Sequence, residues 1–163
     1  MEDEIIKFSD LTRFFPKQQE ALAASKRFKF VLFGGSVGSG KSYWLRWSCI
    51  YWLIKYHAKY GIKGIRGGLF CEDYPSLNDR HLTKVKFEFP KWLGTYNEAK
   101  KEFTLAPEYG SGILAFRNLD EPEKYLSVEF AVMAIDEINR NPKTTFDMLR
   151  SRHRWPGIKD VKF

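Results

Sequence analysis

At 163 residues with 44% hydrophobic content, the chain has material for one domain with a packed core and too little for two ordinary ones. Its formal net charge of +7 favours a polyanionic partner, because a basic surface attracts nucleic acid or anionic lipid through its summed field, although an ordinary basic soluble protein fits the charge equally well. Cys49 and Cys71 lie far apart in apolar runs, as buried free thiols of a reducing compartment do, and the acidic start Met1-Glu2-Asp3-Glu4 lacks the apolar stretch of a secretory signal.

In chain order, residues 17–26 have the pattern of a short helix and 28–33 form an apolar run suited to a strand. The next stretch, Gly34-Gly35-Ser36-Val37-Gly38-Ser39-Gly40-Lys41-Ser42, satisfies the phosphate-cradling pattern G-x-x-x-x-G-K-[ST]. Residues 43–60 follow without Gly or Pro and read as a long helix, so the order is strand, glycine loop, helix. In that setting the backbone of Gly35, Ser36, Val37, Gly38, Ser39 and Gly40 turns its amides inward around a phosphate chain, at the positive end of the helix dipole. Lys41 would reach the β- and γ-phosphates of ATP, and Ser42 would offer its hydroxyl to Mg²⁺. The apolar part of this helix is interrupted by Arg46 and closed by Lys55 well short of a membrane span, so it reads as a core helix. Trp44, Trp47, Tyr51 and Trp52, at helical spacing, read as core rather than as a base-stacking platform.

Gly61, Gly64, Gly67 and Gly68 break the chain before a second strand at 69–72, and Pro75 and Leu77 open a helix running toward Lys86. Residues 102–105 and 112–116 read as two strands joined through Pro107-Glu108-Tyr109-Gly110-Ser111. A short helical stretch at 121–125, a strand at 130–135 apolar enough to be buried on both faces, and a helix at 143–152 complete the order. This alternation predicts an α/β fold, an open, mostly parallel sheet with helices on its faces.

The strand at 130–135 delivers Asp136 and Glu137 at its carboxyl end, where open α/β sheets place their ligand crevice. Asp136 is expected to hold the Mg²⁺ hydration shell, and Glu137 to be the general base that polarises the attacking water. Alone, the pair also fits two surface charges at a turn. His57, His81 and His153 are isolated in sequence, form no zinc pattern and read as structural or exposed. Arg150, Arg152 and Arg154 fit a solvated helix end; for Arg152 or Arg154 the other role is an arginine finger acting on a neighbouring subunit's phosphate. Lys55, Lys59, Lys63 and Arg66 share one side and fit either a solvated face or a contact with DNA phosphates.

With both motifs placed, the sequence resembles the N-terminal ATPase domain of the large terminase subunit, the DNA-packaging motor of tailed bacteriophages. Phe15-Pro16-Lys17-Gln18-Gln19-Glu20-Ala21-Leu22 is similar to that family's adenine-recognising Q motif, with Gln18 the better match and Gln19 the alternative. Asp73-Tyr74-Pro75-Ser76-Leu77, residues 110–120, Asp136-Glu137-Ile138 and Leu149-Arg150-Ser151-Arg152-His153-Arg154 follow in the family's order. Two places depart from it: Ser36, Val37 and Ser39 stand where many terminases carry a loop arginine, and Cys71-Glu72-Asp73 where the family often has an arginine at the strand end.

The resemblance implies a P-loop NTPase fold of the RecA-like ASCE type, incomplete at its C-terminus, with residues 1–163 a partial ATPase domain and the nuclease domain absent. It implies Mg²⁺-dependent ATP hydrolysis that drives double-stranded DNA into a capsid. The partners implied are further copies in a homo-oligomeric ring, the small terminase subunit and the portal protein, in the cytoplasm of a bacterial host and with no membrane. It also implies that 158–163 lead into a strand lying between the phosphate-loop strand and the Asp136 strand, so that these two either face a slot or pair directly. Another RecA-type ATPase, such as a helicase fragment, and a non-hydrolysing nucleotide-binding module are the alternatives. Glu137 argues against the second.

Overall fold

The computed structural model describes residues 8–163; the acidic start at residues 1–4 lies outside them. Two short helices, α1 (Phe8–Leu11) and α2 (Pro16–Arg27), lead to the glycine loop and the long helix α3 (Lys41–Tyr60). An uninterrupted run without Gly or Pro sustains α3, and Gly61, in the left-handed conformation a side chain disfavours, ends it by donating its N–H to His57 O at 2.8 Å. Trp44, Trp47, Cys49, Ile50, Trp52, Leu53 and Tyr56 are all buried and Tyr51 packs against them partly buried, so the tryptophans are core, as their spacing indicated, and Tyr51 lies at its margin. Burial of each large side chain contributes about 1.5–3 kcal/mol.

The sheet has five strands in the order β2–β3–β4–β1–β5: β1 (Arg66–Cys71), β2 (Gly94–Asn97), β3 (Glu102–Leu105), β4 (Ile113–Asn118) and β5 (Val132–Ile135). Its centre is parallel, with Arg66 opposite Ile113 and Gly67 opposite Val132. Antiparallel pairing of β2 with β3, and of β3 with β4, forms one edge. Between β1 and β2 the chain runs through the short helices α4 (Tyr74–Leu77) and α5 (Thr83–Glu88). Helix α3 packs on one face of the sheet through the larger core cluster. On the other, α6 (Lys143–Ser151) contributes Leu149 to a second cluster with Phe70, Tyr125, Phe130 and Met133. The result is the expected α/β layering, a sheet with a parallel centre between helices.

Three elements differ from the sequence reading. The second strand starts at Arg66, so Gly67 and Gly68 lie inside it rather than before it. A Cβ on Gly67 would lie 2.7 Å from Val132 Cγ1, and one on Gly68 within 3 Å of the Phe70 and Phe130 rings, so close packing and not a chain break requires them. Strand β2 was not anticipated, because Gly94-Thr95-Tyr96-Asn97 has no apolar alternation.

The third difference is the lead-in to the glycine loop, residues 28–33, which forms no strand. Phe163 N–H donates to Lys29 O (2.8 Å) and Val31 N–H to Phe163 O (3.1 Å). On its other side this terminal segment pairs with β5, through Lys162 N–H to Ala131 O (3.1 Å) and Met133 N–H to Lys162 O (2.9 Å). Residues 162–163 therefore lie between the lead-in and β5, and the two do not pair directly. The lead-in is irregular, and a cleft of about 690 Å³ lies between residues 30–33 and 132–135 and reaches the glycine loop.

Candidate nucleotide site

The glycine loop forms the mouth of that cleft at the amino end of α3. Gly38 and Gly40 have φ of +81° and +74°, and a Cβ on Gly40 would also lie 2.7 Å from Gln18 Nε2. Lys41 Nζ donates to the carbonyls of Gly35 (2.7 Å) and Ser36 (3.0 Å) and reaches Ser39 Oγ at 3.4 Å, so its charge sits over the loop. Gly34, Gly35, Val37 and Lys41 line the cleft together with Asp136 and Glu137.

Gln18 meets the loop from below. It is buried; its Oε1 accepts from Phe15 N–H (2.9 Å) and its Nε2 donates to Gly40 O (3.0 Å), while Trp44 Nε1 donates to Gln18 O (3.0 Å). The residue singled out for base recognition therefore braces the last glycine of the loop. Gln19 is exposed and donates to Phe14 O.

The second motif arrives on β5. Asp136 N–H donates to Phe70 O at 2.9 Å, continuing the pairing with β1, and its side chain is buried. Oδ2 accepts from Ser42 Oγ at 2.6 Å and from His81 Nε2 at 2.9 Å. Burial raises the Asp136 carboxyl's pKa, but the bonds from His81 and Ser42, aided by the nearby Arg80 charge, outweigh it and hold the group below the usual carboxylate value. Ser42 and Asp136 are 94 positions apart in sequence, so their bond joins the two motifs directly.

Glu137 follows in a left-handed conformation, φ 52° and ψ 54°, and opens the turn Ile138–Arg140. Successive strand residues face opposite ways, and this kink turns the chain so that both acidic residues border the cleft. A non-glycine residue in that region costs about 1–3 kcal/mol, strain of the kind that gathers at functional sites.

Ser42 and Asp136 supply only oxygen donors, the set that suits Mg²⁺. A hydroxyl that donates its one hydrogen keeps both lone pairs, so the Ser42–Asp136 bond leaves Ser42 able to ligate a cation. No hydrogen bond to Asp136 Oδ1 occurs among the described residues.

Cys71 and His81 lie close to Asp136, with one donor atom of each within 4.8 Å of the others. They do not make a soft-metal site. Burial pushes the Cys71 thiol up to about 12, and both His81 nitrogens are engaged. Arg46 Nη1 lies 3.0 Å from His81 Nδ1, and since a guanidinium only donates, Nδ1 accepts and the ring hydrogen is on Nε2, directed at Asp136. Burial, with Arg46 as a further cause, also holds His81 below its ordinary pKa, consistent with a neutral ring. His81 was read as an isolated histidine. Its partners are 35 and 55 positions away, beyond any local pattern.

Several of the basic residues singled out in the sequence have partners. Arg152 Nη1 donates to Leu126 O (2.7 Å) and Arg154 pairs with Glu129, which puts both beside the amino end of β5, opposite the Asp136 end and away from the loop of their own chain. Lys59 pairs with Asp160, and Arg66 with Glu102. At the end of β1, Glu72 holds both Arg80 (2.6 Å) and Arg140 (3.3 Å). Among the described residues no helix is long and apolar enough to cross a membrane.

A scan against protein-family models finds no match, and neither does a search of curated proteins. Among solved structures, the chain is similar to the large terminase of a thermophilic bacteriophage, with a TM-score of 0.71 and 16% identity over 90% of this chain and 37% of that one. The same terminase in complex with ATP-gamma-S gives a TM-score of 0.68 at 16% identity over 90% and 36% of the two chains. Its complex with ADP gives 0.64 at 16% identity over 89% and 37%. This chain thus spans just over a third of the length of the chains it matches. At this identity the likeness is one of fold.

Proposed function

We propose that this chain, which shares its fold with a phage large terminase, is an ATP-binding and ATP-hydrolysing motor domain of the terminase type. The observation that carries the reading is the 2.6 Å bond between Ser42, at the end of the glycine loop, and Asp136, at the end of β5. Two motifs far apart in sequence meet where a metal–triphosphate would need both.

In this reading the loop amides of residues 35–40 and Lys41 hold the β- and γ-phosphates, and Ser42 and Asp136 hold Mg²⁺, which when bound neutralises charge on the transferring phosphate. Glu137 orients the water and takes its proton. Gln18 acts as a brace for the loop and contacts the adenine only through what its backbone bonds leave free. Arg152 or Arg154, distant from the loop of their own chain, serve as fingers in trans if they serve at all.

The larger role is translocation of double-stranded DNA into a capsid by a homo-oligomeric ring, working with a small terminase subunit and a portal protein in the bacterial cytoplasm. Its support is the motif order together with the shared fold. The test is ATP turnover by the parent protein and its Glu137→Gln variant, with nucleotide binding measured alongside. An amide holds a water but does not take its proton, so turnover should fall about 10²-fold or more while binding persists. Equal turnover would remove Glu137 as the base, and a chain that binds no ATP would remove the reading.

A further inference from the structure

Behind Asp136 lies a run of buried polar side chains that the two motifs do not use. His81 is fully buried and Arg46 is 4% exposed. Arg46 is clamped by Glu88 through two bonds, Nε to Oε2 at 2.6 Å and Nη2 to Oε1 at 2.8 Å, and its Nη1 also donates to Arg80 O at 2.7 Å. The guanidinium is therefore fixed from both sides before it meets His81 Nδ1. His81 then directs its Nε2–H at Asp136 Oδ2, at 2.9 Å.

Arg46 follows Ser42 by four positions on α3, one turn along the same face, so a single helix places both the hydroxyl that meets Asp136 and the guanidinium that orients His81. His81 comes from the helical stretch that starts with α4 and ends with α5. It sits in a widened π-type turn, Asn78–Leu82, joining the two, and single turns of this kind recur at functional sites. Burying an ion pair seldom adds net stability over a well-packed apolar pair. What Glu88, Arg46 and His81 supply instead is a defined hydrogen at a defined place.

We propose that His81 is a positioning residue for the metal–nucleotide site, holding the Asp136 carboxylate by its Oδ2 so that Oδ1 stays available to the cation. The proposal rests on the ATP reading above. His81 touches neither substrate nor metal; it acts through Asp136, as the outer partners of metal ligands do, and losses of such partners cost about 10- to 100-fold in metal affinity or activity.

The experiment titrates Mg²⁺ against a fluorescent ATP analogue bound by this chain, and repeats the nucleotide titration in EDTA. His81→Phe fills the space but donates nothing. His81→Gln keeps an N–H donor at about the reach of Nε2. His81→Phe should raise the Mg²⁺ concentration needed for half-maximal binding about tenfold, with affinity in EDTA unchanged, and His81→Gln should recover much of the loss. Glu88→Gln, which loosens Arg46 without touching His81, should give a smaller rise in the same direction, and serves if the His81 variants do not fold. An unchanged Mg²⁺ requirement in the folded variants overturns the proposal, as does an equal loss with and without Mg²⁺. If the parent chain binds no nucleotide in Mg²⁺, the ATP reading itself fails, an outcome distinct from parent binding with indifferent variants.

Discussion

The glycine loop is held very differently on its two sides. Toward α3, the bonds linking Phe15, Gln18, Gly40, Trp44, Ser42, Asp136, His81, Arg46 and Glu88 run from 2.6 to 3.0 Å and leave the loop's anchor points satisfied. Toward the chain that leads in, residues 28–33 have two backbone bonds to Phe163 and expose Phe28, Phe30 and Leu32, the last at 83%. A loop that pattern alone would hang from the strand before it is placed here by the helix after it and by the α2 brace. Changes on the α3 side should therefore be felt in both stability and binding, and changes on the lead-in side far less.

The largest effect is expected from Arg46→Ala, which leaves Glu88 without its partner and His81 Nδ1 without a donor. Breaking a buried pair costs about 3–5 kcal/mol, and with Glu88 partly open to water the lower end applies, read as a shift in the denaturant midpoint. The lead-in side has one comparably sensitive group, His153, packed against Phe30 and Phe163. Burial, with the Lys29 charge as a further cause, holds its pKa down to about 4 from 6.5. The unfolded chain takes up this proton and the folded chain resists it, so the stability is fully present above pH 6.5 and is lost as pH falls toward 4, by at most about 3 kcal/mol. Equilibrium unfolding across that range should show the decline, and His153→Phe should reduce it, with His81 and, at the acid end, carboxylates held low such as Glu72 and Glu102 keeping a residual slope of the same sign.

Gln18→Ala comes next. It removes one of the two donors to Gly40 O, leaving Trp44 N–H, and takes the acceptor from Phe15 N–H, and should cost about 1–2 kcal/mol while weakening ATP binding, because the loop loses its side-chain brace. Leu32→Ser marks the other extreme, an exposed position where about 0.5 kcal/mol or less is expected. If Leu32→Ser cost as much stability as Gln18→Ala does, the contrast between the two sides would be wrong.

These regions also mark what the sequence made legible. The glycine loop, the helix after it and the acidic pair after an apolar strand are local patterns, and their order sufficed to predict that the two motifs meet; in the structure Ser42 bonds to Asp136, and Lys41, Asp136 and Glu137 border one cleft. The lead-in read as a strand because it is apolar, but a strand also needs neighbours along its length, and Phe163 supplies only two backbone bonds. Gly67 and Gly68 read as chain breaks because two of the side chains that crowd them, Val132 and Phe130, arrive some 60 residues later, and Phe70, though near in sequence, is set against Gly68 only by the fold. His81 gave no signal at all. Its meaning depends on Arg46 and Asp136, which only the fold brings to it.

The central claim is that the glycine loop and Asp136 form a single metal–nucleotide site. Calorimetric titration of ATP into the chain, with Mg²⁺ and then with EDTA, for the parent, Lys41→Ala and Asp136→Asn proteins, tests it most directly. The parent should show one site that tightens with Mg²⁺, Lys41→Ala should lose binding, and Asp136→Asn should lose only the Mg²⁺-dependent gain. Equal binding by all three folded proteins in Mg²⁺ would contradict it.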